Sequence, residues 1–324
     1  MEARDAGSAR ALWIVGPGAV EIRDTPLRAG PGEVELATRF SGISRGTEAL
    51  VLRGGVPEGE RARMRAPLQE GEFPWPVKYG YAAVGRILSG AAAGRDAFVL
   101  APHQDRLAVP GAMVLPLPAG VPAGRAVLAS NMETALNVVW DGGAAPGDRI
   151  AVIGAGVVGA LAAWLCGRMP GAAVTLIDLL PGRAALAAAL GVGFALPEDA
   201  PEGCDLVIHA SASAAGLATA LAAAGEEARV VEASWYGDRA VTLGLGGGFH
   251  SRRLQLVSSQ VGMVPAGRRA RWPLRRRLEA ALRLLADPAL DALISGETDF
   301  GDLPARYGAI LDDPGTLCHR IAYR

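Results

Sequence analysis

The sequence predicts an α/β protein in two parts, a β-rich part and a part built on a doubly wound parallel sheet. Three observations lead to this fold class. The 324 residues correspond to about two domains at roughly 100–200 residues each. Before about residue 124, short apolar runs alternate with glycine and proline, as in strands joined by turns. Beyond that point, apolar strands alternate with helices of about ten residues, as in parallel βαβ units.

The β-rich part begins with three predicted strands and stays rich in turns. The strands lie in ALWIV, AVEIRD and EVELATRF, between residues 11 and 40. Residues 41–128 continue in the same style, with a helical period only around 58–66. The chain closes on a short β-like tail, CHRIAYR, which we expect to rejoin this part.

The second part starts with a helix over residues 125–141, where apolar residues recur at helical spacing. Its strands are continuous apolar runs, as expected when both faces of a sheet are covered. We predict strands at 149–153, 173–178, 205–210, 228–234 and 254–262, and helices at 157–169, 182–190, 214–224 and 273–286. The predicted domains are 128–267 for the parallel sheet, and 1–127 with 268–324 for the β-rich domain.

The composition excludes several classes of function. Half of the residues are hydrophobic and the formal net charge is −1, which disfavours disorder, a nucleic-acid binder and a membrane-surface binder. The three cysteines, Cys166, Cys204 and Cys318, form no CxxC pair, so neither a disulfide framework nor a cysteine-built zinc site is predicted. We predict no signal peptide or membrane span, and we expect a reducing, cytoplasmic setting.

A glycine motif follows the first strand of the parallel sheet and begins a helix. Gly154, Gly156 and Gly159 form GxGxxG, and Asp178 ends the next strand. In this context the motif predicts a Rossmann-type dinucleotide site, because the glycines allow a tight turn, close approach of a pyrophosphate and close helix packing. The carboxylate of Asp178 can bind the adenosine ribose and would repel a 2′-phosphate. The sequence therefore predicts NAD(H) rather than NADP(H).

Other residues are predicted to line the same site. Arg183 lies close to Asp178 and would either weaken the preference for NAD(H) or pack over the adenine. Further cofactor residues are expected at the start of the motif's helix, at the carboxyl edge of the sheet and on the first helix. They are Val157, Val158, Ser211, Ser234, Trp235 and Thr134, with Asn131 and Tyr236 predicted to bind the substrate. Ordinary aromatic packing is the alternative for Trp235 and Tyr236.

Three segments resemble the medium-chain dehydrogenase/reductase superfamily: SGISRGTE at 41–48, VKYGYAAVGR at 77–86, and the glycine motif with Asp178. The resemblance covers essentially the whole chain. It implies a GroES-like catalytic domain joined to a Rossmann domain, and an NAD-dependent oxidoreductase acting on a small molecule. It also implies a homodimer, in which the late strand at 254–262 pairs across a two-fold axis.

The zinc ligands that this superfamily would supply are replaced. Ser44 stands where the resemblance places a Cys ligand, and Ser130 stands at the third ligand position. Tyr81 and Ala82 stand where it places His and Glu. None of these side chains is a suitable zinc ligand, and Glu133 alone would not hold a metal. We therefore predict that the protein works without zinc or another metal.

Without zinc, hydrogen-bond donors must hold the reacting oxygen. Tyr81 is the first candidate for acid–base chemistry, because it replaces a metal ligand. Lys78, the only lysine, lies three residues away and could lower the phenol pKa. Ser44 and Thr47 could relay the proton. The alternatives are a pocket-lining Tyr81, a solvated Lys78 and hydroxyls that only cap a turn.

The pattern SGIS-x-GTE followed by G-Y-x-A-V-G-R resembles, more narrowly, the bacteriochlorophyllide dehydrogenases. That family oxidises a hydroxyethyl side chain of a tetrapyrrole to an acetyl group with NAD. The resemblance implies interconversion of an alcohol and a carbonyl on a side chain of a larger ring compound. Two alternatives stay open: an NAD(P)H-dependent quinone or enone reductase, and a dinucleotide-binding protein without catalysis.

Arginines are dense between residues 252 and 277. The sequence predicts a solvated helix face shaped by compositional bias, with a docking site for an acidic substrate or partner as the alternative. Nucleic acid is a poor candidate, because the rest of the chain offsets this charge. The residues are Arg252, Arg253, Arg268, Arg269, Arg271, Arg275, Arg276 and Arg277.

Overall fold

The computed structural model describes residues 7–324, and the chain divides into two compact units. The first unit comprises residues 7–130 and 294–324, and the second comprises residues 131–293. The chain thus returns to the first unit at Ile294, whereas the sequence predicts a return at residue 268. Residues 268–293 stay in the second unit, where the Arg277 guanidinium pairs with Glu133.

The strands follow the alternation of apolar runs and turns. In chain order they are β1 (Ser8–Gly16), β2 (Ala19–Pro26), β3 (Glu33–Ser44), β4 (Glu70–Gly71), β5 (Val77–Lys78), β6 (Ala83–Ile87), β7 (Asp96–Val99), β8 (Arg106–Pro110), β9 (Leu115–Pro116), β10 (Arg149–Ile153), β11 (Ala173–Ile177), β12 (Gly193–Ala195), β13 (Cys204–His209), β14 (Ala224–Glu232), β15 (Gln255–Ser258), β16 (Ile294–Asp299) and β17 (Cys318–Ala322).

The α-helices of the described part of the chain have between 4 and 14 residues. They are α1 (Arg45–Leu52), α2 (Ala123–Ala126), α3 (Ala129–Gly142), α4 (Val157–Cys166), α5 (Arg183–Leu190), α6 (Ala214–Ala223), α7 (Gly248–Ser251), α8 (Ala266–Arg269), α9 (Leu274–Leu284) and α10 (Leu303–Asp312). Where a helical period was expected around residues 58–66, the chain forms one 3₁₀ turn at Glu58–Glu60.

Two sheets form the first unit. One has the strand order β2-β1-β5-β4 and is antiparallel throughout. The other has the order β16-β17-β3-β6-β7-β9, with β8 also paired to β3. Its core includes the buried side chains of Leu36, Ile87 and Leu107. The tail strand β17 pairs antiparallel with β3 and places Cys318 opposite Ser44. The expected return of the C-terminal tail to the β-rich part is confirmed.

A parallel sheet forms the centre of the second unit. Its strand order is β12-β11-β10-β13-β14-β15, and every neighbouring pair runs parallel. The central strand β10 is buried from Ile150 to Ile153, which explains its continuous apolar sequence. The predicted doubly wound α/β fold is confirmed. The sequence missed the short edge strand β12, because three residues carry too little pattern to distinguish a strand from a loop.

Helix α9 departs from the solvated arginine face that the sequence predicts. Its Arg277 is only 1% exposed. The Arg277 Nε donates to Glu133 Oε1 at 3.1 Å, and the same guanidinium donates to Asn137 Oδ1 and to the Val261 carbonyl. A buried cation needs such partners, because desolvation without them costs several kcal/mol. By contrast, Arg275 on the same helix is exposed, as predicted, and pairs with a glutamate one turn later.

Candidate active-site residues

The glycine motif forms a tight turn between β10 and α4. Gly154 has a φ of +102°, which favours glycine, and a Cβ on it would lie 2.8 Å from the Ser211 nitrogen. A Cβ on Gly159 would overlap the Gly154 oxygen. A Cβ on Gly156 would meet nothing within 4 Å, so the approach to the turn is open. The close contacts at Gly154 and Gly159 hold the turn tight against the helix, and the open side at Gly156 leaves room for a pyrophosphate to approach the backbone.

Asp178 orders this turn. Its Oδ2 accepts a hydrogen bond from the Ala155 amide at 2.7 Å, and its Oδ1 accepts one from the Leu180 amide at 2.9 Å. The amides of Val157 and Val158 open α4, where a helix has no internal acceptors for its first amides. The donor set, the open approach and the carboxylate together fit a dinucleotide. Each carboxylate oxygen retains a lone pair for a ribose hydroxyl.

The polar residues after β14 bond to Glu232, the last residue of that strand, and to the turn after β13. Ser234 Oγ accepts from the Ala212 amide at 3.0 Å, and the Tyr236 hydroxyl donates to Glu232 Oε2 at 3.0 Å. Burial, and then the Glu232 carboxylate, raise the pKa of Tyr236 above its ordinary value. Trp235 lies half-buried between them. Tyr236 is thus a neutral phenol held by a neighbouring carboxylate.

Four predicted residues of the second unit remain. Ser211 is exposed in the turn after β13, where its Oγ lies 2.7 Å from His209 Nε2, and the other three lie on helices. Asn131 and Thr134 occupy the first half of α3, with Asn131 buried and Thr134 half-buried. Arg183 is the first residue of α5 and is half-buried. Their roles toward a cofactor or a substrate stay predictions.

In the first unit, three of the four predicted catalytic residues come together. The phenol of Tyr81 hydrogen bonds to the side chains of Ser44 and Thr47. Burial raises the pKa of Tyr81 to about 12, although the two hydroxyls lower it and the Glu48 carboxylate raises it further. Tyr81 is therefore a neutral phenol at neutral pH, with two hydroxyl partners.

Lys78 requires a correction. Its side chain is buried, and its ammonium donates to Gln104 Oε1 at 2.8 Å and pairs with Glu70. The pKa of Tyr81 is raised rather than lowered, so the expected effect of Lys78 on the phenol is wrong. The reason is the strand geometry, because β5 pairs with both β1 and β4 and Lys78 lies directly opposite Glu70.

A buried carboxylate next to these hydroxyls organises the site. Glu48 and His103 both have fully buried side chains. Glu48 Oε1 accepts from the Ser44 amide at 2.7 Å, and its Oε2 accepts from the Tyr307 hydroxyl at 2.6 Å and from His103 Nε2 at 3.0 Å. The His103 Nδ1 then lies 2.8 Å from Ser41 Oγ. This assigns the Nε2–H tautomer, with Nδ1 accepting from Ser41.

Sequence reasoning missed this network. His103 is 55 residues from Glu48, and Tyr307 is 259 residues away and reaches the site only after the chain returns from the second unit. No spacing rule links such positions. The available signal was the position of Glu48, four residues after Ser44 in the SGISRGTE segment, since a carboxylate that becomes buried there requires donors.

The donor set does not fit zinc. The side chains of Ser44 and Tyr81 are hydrogen bonded to each other, and the side chain of Ala82 has no atom that can ligate a metal. Burial raises the pKa of Cys318, across the strand pair from Ser44, to about 12 and so keeps it a thiol. Among residues 7–324, no three or more His, Cys, Asp and Glu side chains gather in a way that could hold a metal ion. The candidate ligand Glu133 is paired with Arg277 instead.

Comparison with known proteins supports the fold. No protein-family model matches the sequence. The D-guloside 3-dehydrogenase of Shigella flexneri is 24% identical over 327 residues, which cover 90% of this chain and 92% of that enzyme. The structure of a candidate zinc-binding dehydrogenase of Sinorhizobium meliloti, bound to NADP, gives a TM-score of 0.76 at 17% identity and covers 97% of this chain and 99% of its own. The structure of a short chain alcohol dehydrogenase of Escherichia coli, complexed with NADH, gives a TM-score of 0.76 at 17% identity. The match covers 98% of this chain and 100% of that one.

These similarities show that the chain shares the fold of these dehydrogenases, a β-rich GroES-like domain joined to a Rossmann domain. The identities are too low for the bound nucleotides or the substrates of those proteins to be transferred to this chain. None of the helices in the described part of the chain combines the length and the apolar character needed to cross a membrane.

Proposed function

We propose that this chain is an NAD(H)-dependent oxidoreductase that interconverts an alcohol and a carbonyl without zinc. The observation that carries the proposal is the hydroxyl cluster of Tyr81, Ser44 and Thr47. It occupies two of the positions where the sequence resemblance places zinc ligands, in a chain that also has an open glycine turn suited to a dinucleotide. The 24% identity to a sugar dehydrogenase over most of both chains supports the same class of reaction.

The chain's own residues would handle the oxygen and the proton. Tyr81 is protonated at neutral pH, so it can donate a hydrogen bond to a carbonyl oxygen and then give it a proton. Ser44 and Thr47 would stabilise the resulting phenolate by donating to it, as they lower the phenol pKa. Glu48 positions Ser44 through the Ser44 amide. A bound nicotinamide dinucleotide would supply or accept the hydride.

The same geometry supports NAD(H) as the preferred cofactor. Both oxygens of Asp178 are held in place by backbone amides. A fixed carboxylate at the ribose end of the turn would accept hydrogen bonds from the 2′- and 3′-hydroxyls. It would repel a phosphate at the 2′ position, because the two charges would face each other at close range.

We further propose that the substrate alcohol belongs to a ring compound. The narrower sequence resemblance implies a hydroxyethyl side chain on a tetrapyrrole, and the relative from Shigella flexneri is named for a glycoside. Both are ring-bearing alcohols. A panel of ring-bearing secondary alcohols and their ketones, set against acyclic alcohols, tests this substrate class.

We also propose that two copies pair through β15. This strand lies at the edge of the parallel sheet, and its Gln255, Leu256 and Ser258 are exposed. An exposed edge strand with an apolar side chain requires a cover or a partner. Sedimentation equilibrium measures the mass of the particle, and a Leu256→Lys variant should shift it toward the monomer.

The main test combines cofactor titration, turnover and metal analysis. We expect NADH to bind with quenching of tryptophan fluorescence, and turnover to persist after chelation and dialysis with much less than one zinc per chain. Tyr81→Phe should lower kcat by about 10²–10⁴-fold while NADH still binds. About one zinc per chain, or unchanged turnover and pH profile in Tyr81→Phe, would refute the proposed mechanism. A preference for NADPH with enones as substrates would instead support the quinone or enone reductase.

A further inference from the structure

A serine, a histidine and a glutamate of the second unit form a hydrogen-bonded series, whereas the residues of the Tyr81 cluster belong to the first unit. Ser211 Oγ lies 2.7 Å from His209 Nε2, and His209 Nδ1 lies 2.7 Å from Glu232 Oε2. The His209 side chain is fully buried, Glu232 is 15% exposed, and Ser211 is exposed. The order of contacts is that of a nucleophile, a base and a group that orients the base.

The protonation states follow from the contacts. Burial opposes ionisation of Glu232, but hydrogen bonds from His209 and Ser234 lower its pKa below the ordinary value. An ionised carboxylate only accepts, so the proton of neutral His209 lies on Nδ1. Nε2 is then an acceptor, and Ser211 donates its hydroxyl hydrogen to it. Ser213 Oγ, 3.0 Å from Ser211 Oγ, can donate its own hydrogen to Ser211.

The backbone around Ser211 is built for close approach. Strand β13 ends at His209 and helix α6 begins at Ala214, so Ser211 lies in a short turn between strand and helix. Ala212 has a φ of +51°, a left-handed conformation that costs a non-glycine residue energy. A Cβ on Gly216 would overlap Ser211 Oγ and lie 2.9 Å from His209 Nε2. Ser211 therefore lies next to a strained residue in a strand-to-helix turn and against the first turn of α6, as the nucleophilic serine of an α/β-hydrolase does.

We propose that Ser211 is a nucleophile for acyl transfer from small activated esters, with His209 as its base and Glu232 as the orienting carboxylate. Ser211 Oγ forms a bond to the acyl carbon and passes its proton to His209 Nε2. The bond from that carbon to the leaving oxygen breaks, and His209 returns the proton to this oxygen. A water oxygen then forms a bond to the acyl carbon and gives a proton to His209 Nε2. The bond from that carbon to Ser211 Oγ breaks, His209 returns the proton to Ser211 Oγ, and the carboxylic acid leaves.

Helix α6 supplies donors for the negative charge of the tetrahedral intermediate. The ten-residue helix begins beside Ser211, and the first amides of a helix have no acceptor within it. The amide of Gly216 is already bonded to Ser213 Oγ at 2.9 Å. The amides of Ala214 and Ala215 are the donors expected to bind the oxyanion.

The test uses the entire 324-residue chain, p-nitrophenyl acetate and an alkyl fluorophosphonate probe, without any nucleotide. We expect a burst that releases about one p-nitrophenol per chain. We also expect peptide mass spectrometry to find the phosphonate attached to Ser211. Ser211→Ala should reduce both to background, and it should fold, because this side chain is exposed. His209→Asn and Glu232→Gln should slow the burst, the first by about 10²–10⁴-fold.

Ser251→Ala is the matched control, because it removes an exposed serine hydroxyl of the same unit that has no part in the Ser211–His209–Glu232 network. It should retain the burst and the label. A label on another residue, an unchanged burst in Ser211→Ala, or a lost burst in Ser251→Ala would each overturn the assignment. The outcome is independent of the proposed dehydrogenase, since neither Tyr81 nor a dinucleotide takes part in the assay.

Discussion

The buried ion pair of Arg277 and Glu133 gives a stability prediction that can be worked from the structure. Arg277→Met removes a guanidinium that is 1% exposed and leaves a chain of similar length in its place. The Glu133 carboxylate, which is 8% exposed, loses its charged partner, and the Val261 carbonyl loses a donor. Removing one partner of a buried pair costs about 3–5 kcal/mol. We expect a loss of that size in the free energy of unfolding of the second unit.

The pH dependence of the loss has a definite sign. Burial raises the pKa of Glu133, and Arg277 opposes that rise. In Arg277→Met the pKa should therefore rise further. A carboxyl whose folded pKa lies above its unfolded value stabilises the protein below the unfolded pKa and loses this contribution as pH rises through the folded pKa. The variant should be most destabilised at neutral pH and recover part of its stability toward pH 5.

The assay is urea unfolding followed by circular dichroism, in a double-mutant cycle with Glu133→Gln. The double variant Arg277→Met with Glu133→Gln should lose clearly less free energy of unfolding than the two single variants lose together, because no unpaired charge remains. Arg275→Met is the matched control: Arg275 is exposed and its partner Glu279 is half-buried, so the change should stay within about 0.5 kcal/mol. Additive losses, or an Arg277→Met variant within about 1 kcal/mol of the parent, would refute the reasoning.

Three further predictions concern the proposed function. Asp178→Asn should lower the preference for NAD over NADP by about tenfold, measured as the ratio of the two kcat/KM values, because the charge that repels the 2′-phosphate is gone; an unchanged ratio would count against this role. Gly159→Ala should abolish NADH binding in calorimetry, because its Cβ overlaps the Gly154 oxygen. Gly156→Ala places its Cβ where nothing lies within 4 Å, so the melting temperature of that variant should equal that of the parent protein. Since the pKa of Tyr81 is raised to about 12, alcohol oxidation should accelerate from pH 7 to 10 as the phenolate fraction grows, while carbonyl reduction should show no loss from Tyr81 in that range.

Much of the second unit was predictable because its signals are local. A strand, a glycine turn and a helix lie within residues 149–166, and each is encoded by neighbouring residues. The same holds for the hydroxyls Ser44 and Thr47, which stand three positions apart at the start of α1. The prediction that Tyr81 would lie near these hydroxyls came from the resemblance of residues 41–48 and 77–86 to a known superfamily. In the structure, hydrogen bonds join the two segments.

The amino-acid sequence by itself determined the α/β fold and the glycine turn with Asp178, and it placed a serine at position 44 and a tyrosine at position 81. Only the tertiary structure decided which partners the buried charges take. Lys78 goes to Glu70 and Gln104, and Glu48 goes to His103 and Tyr307. The physical reason is that a buried charge must find donors or acceptors wherever the folded chain supplies them. Those partners lie on segments that are far apart in the sequence, so no local sequence pattern predicts them.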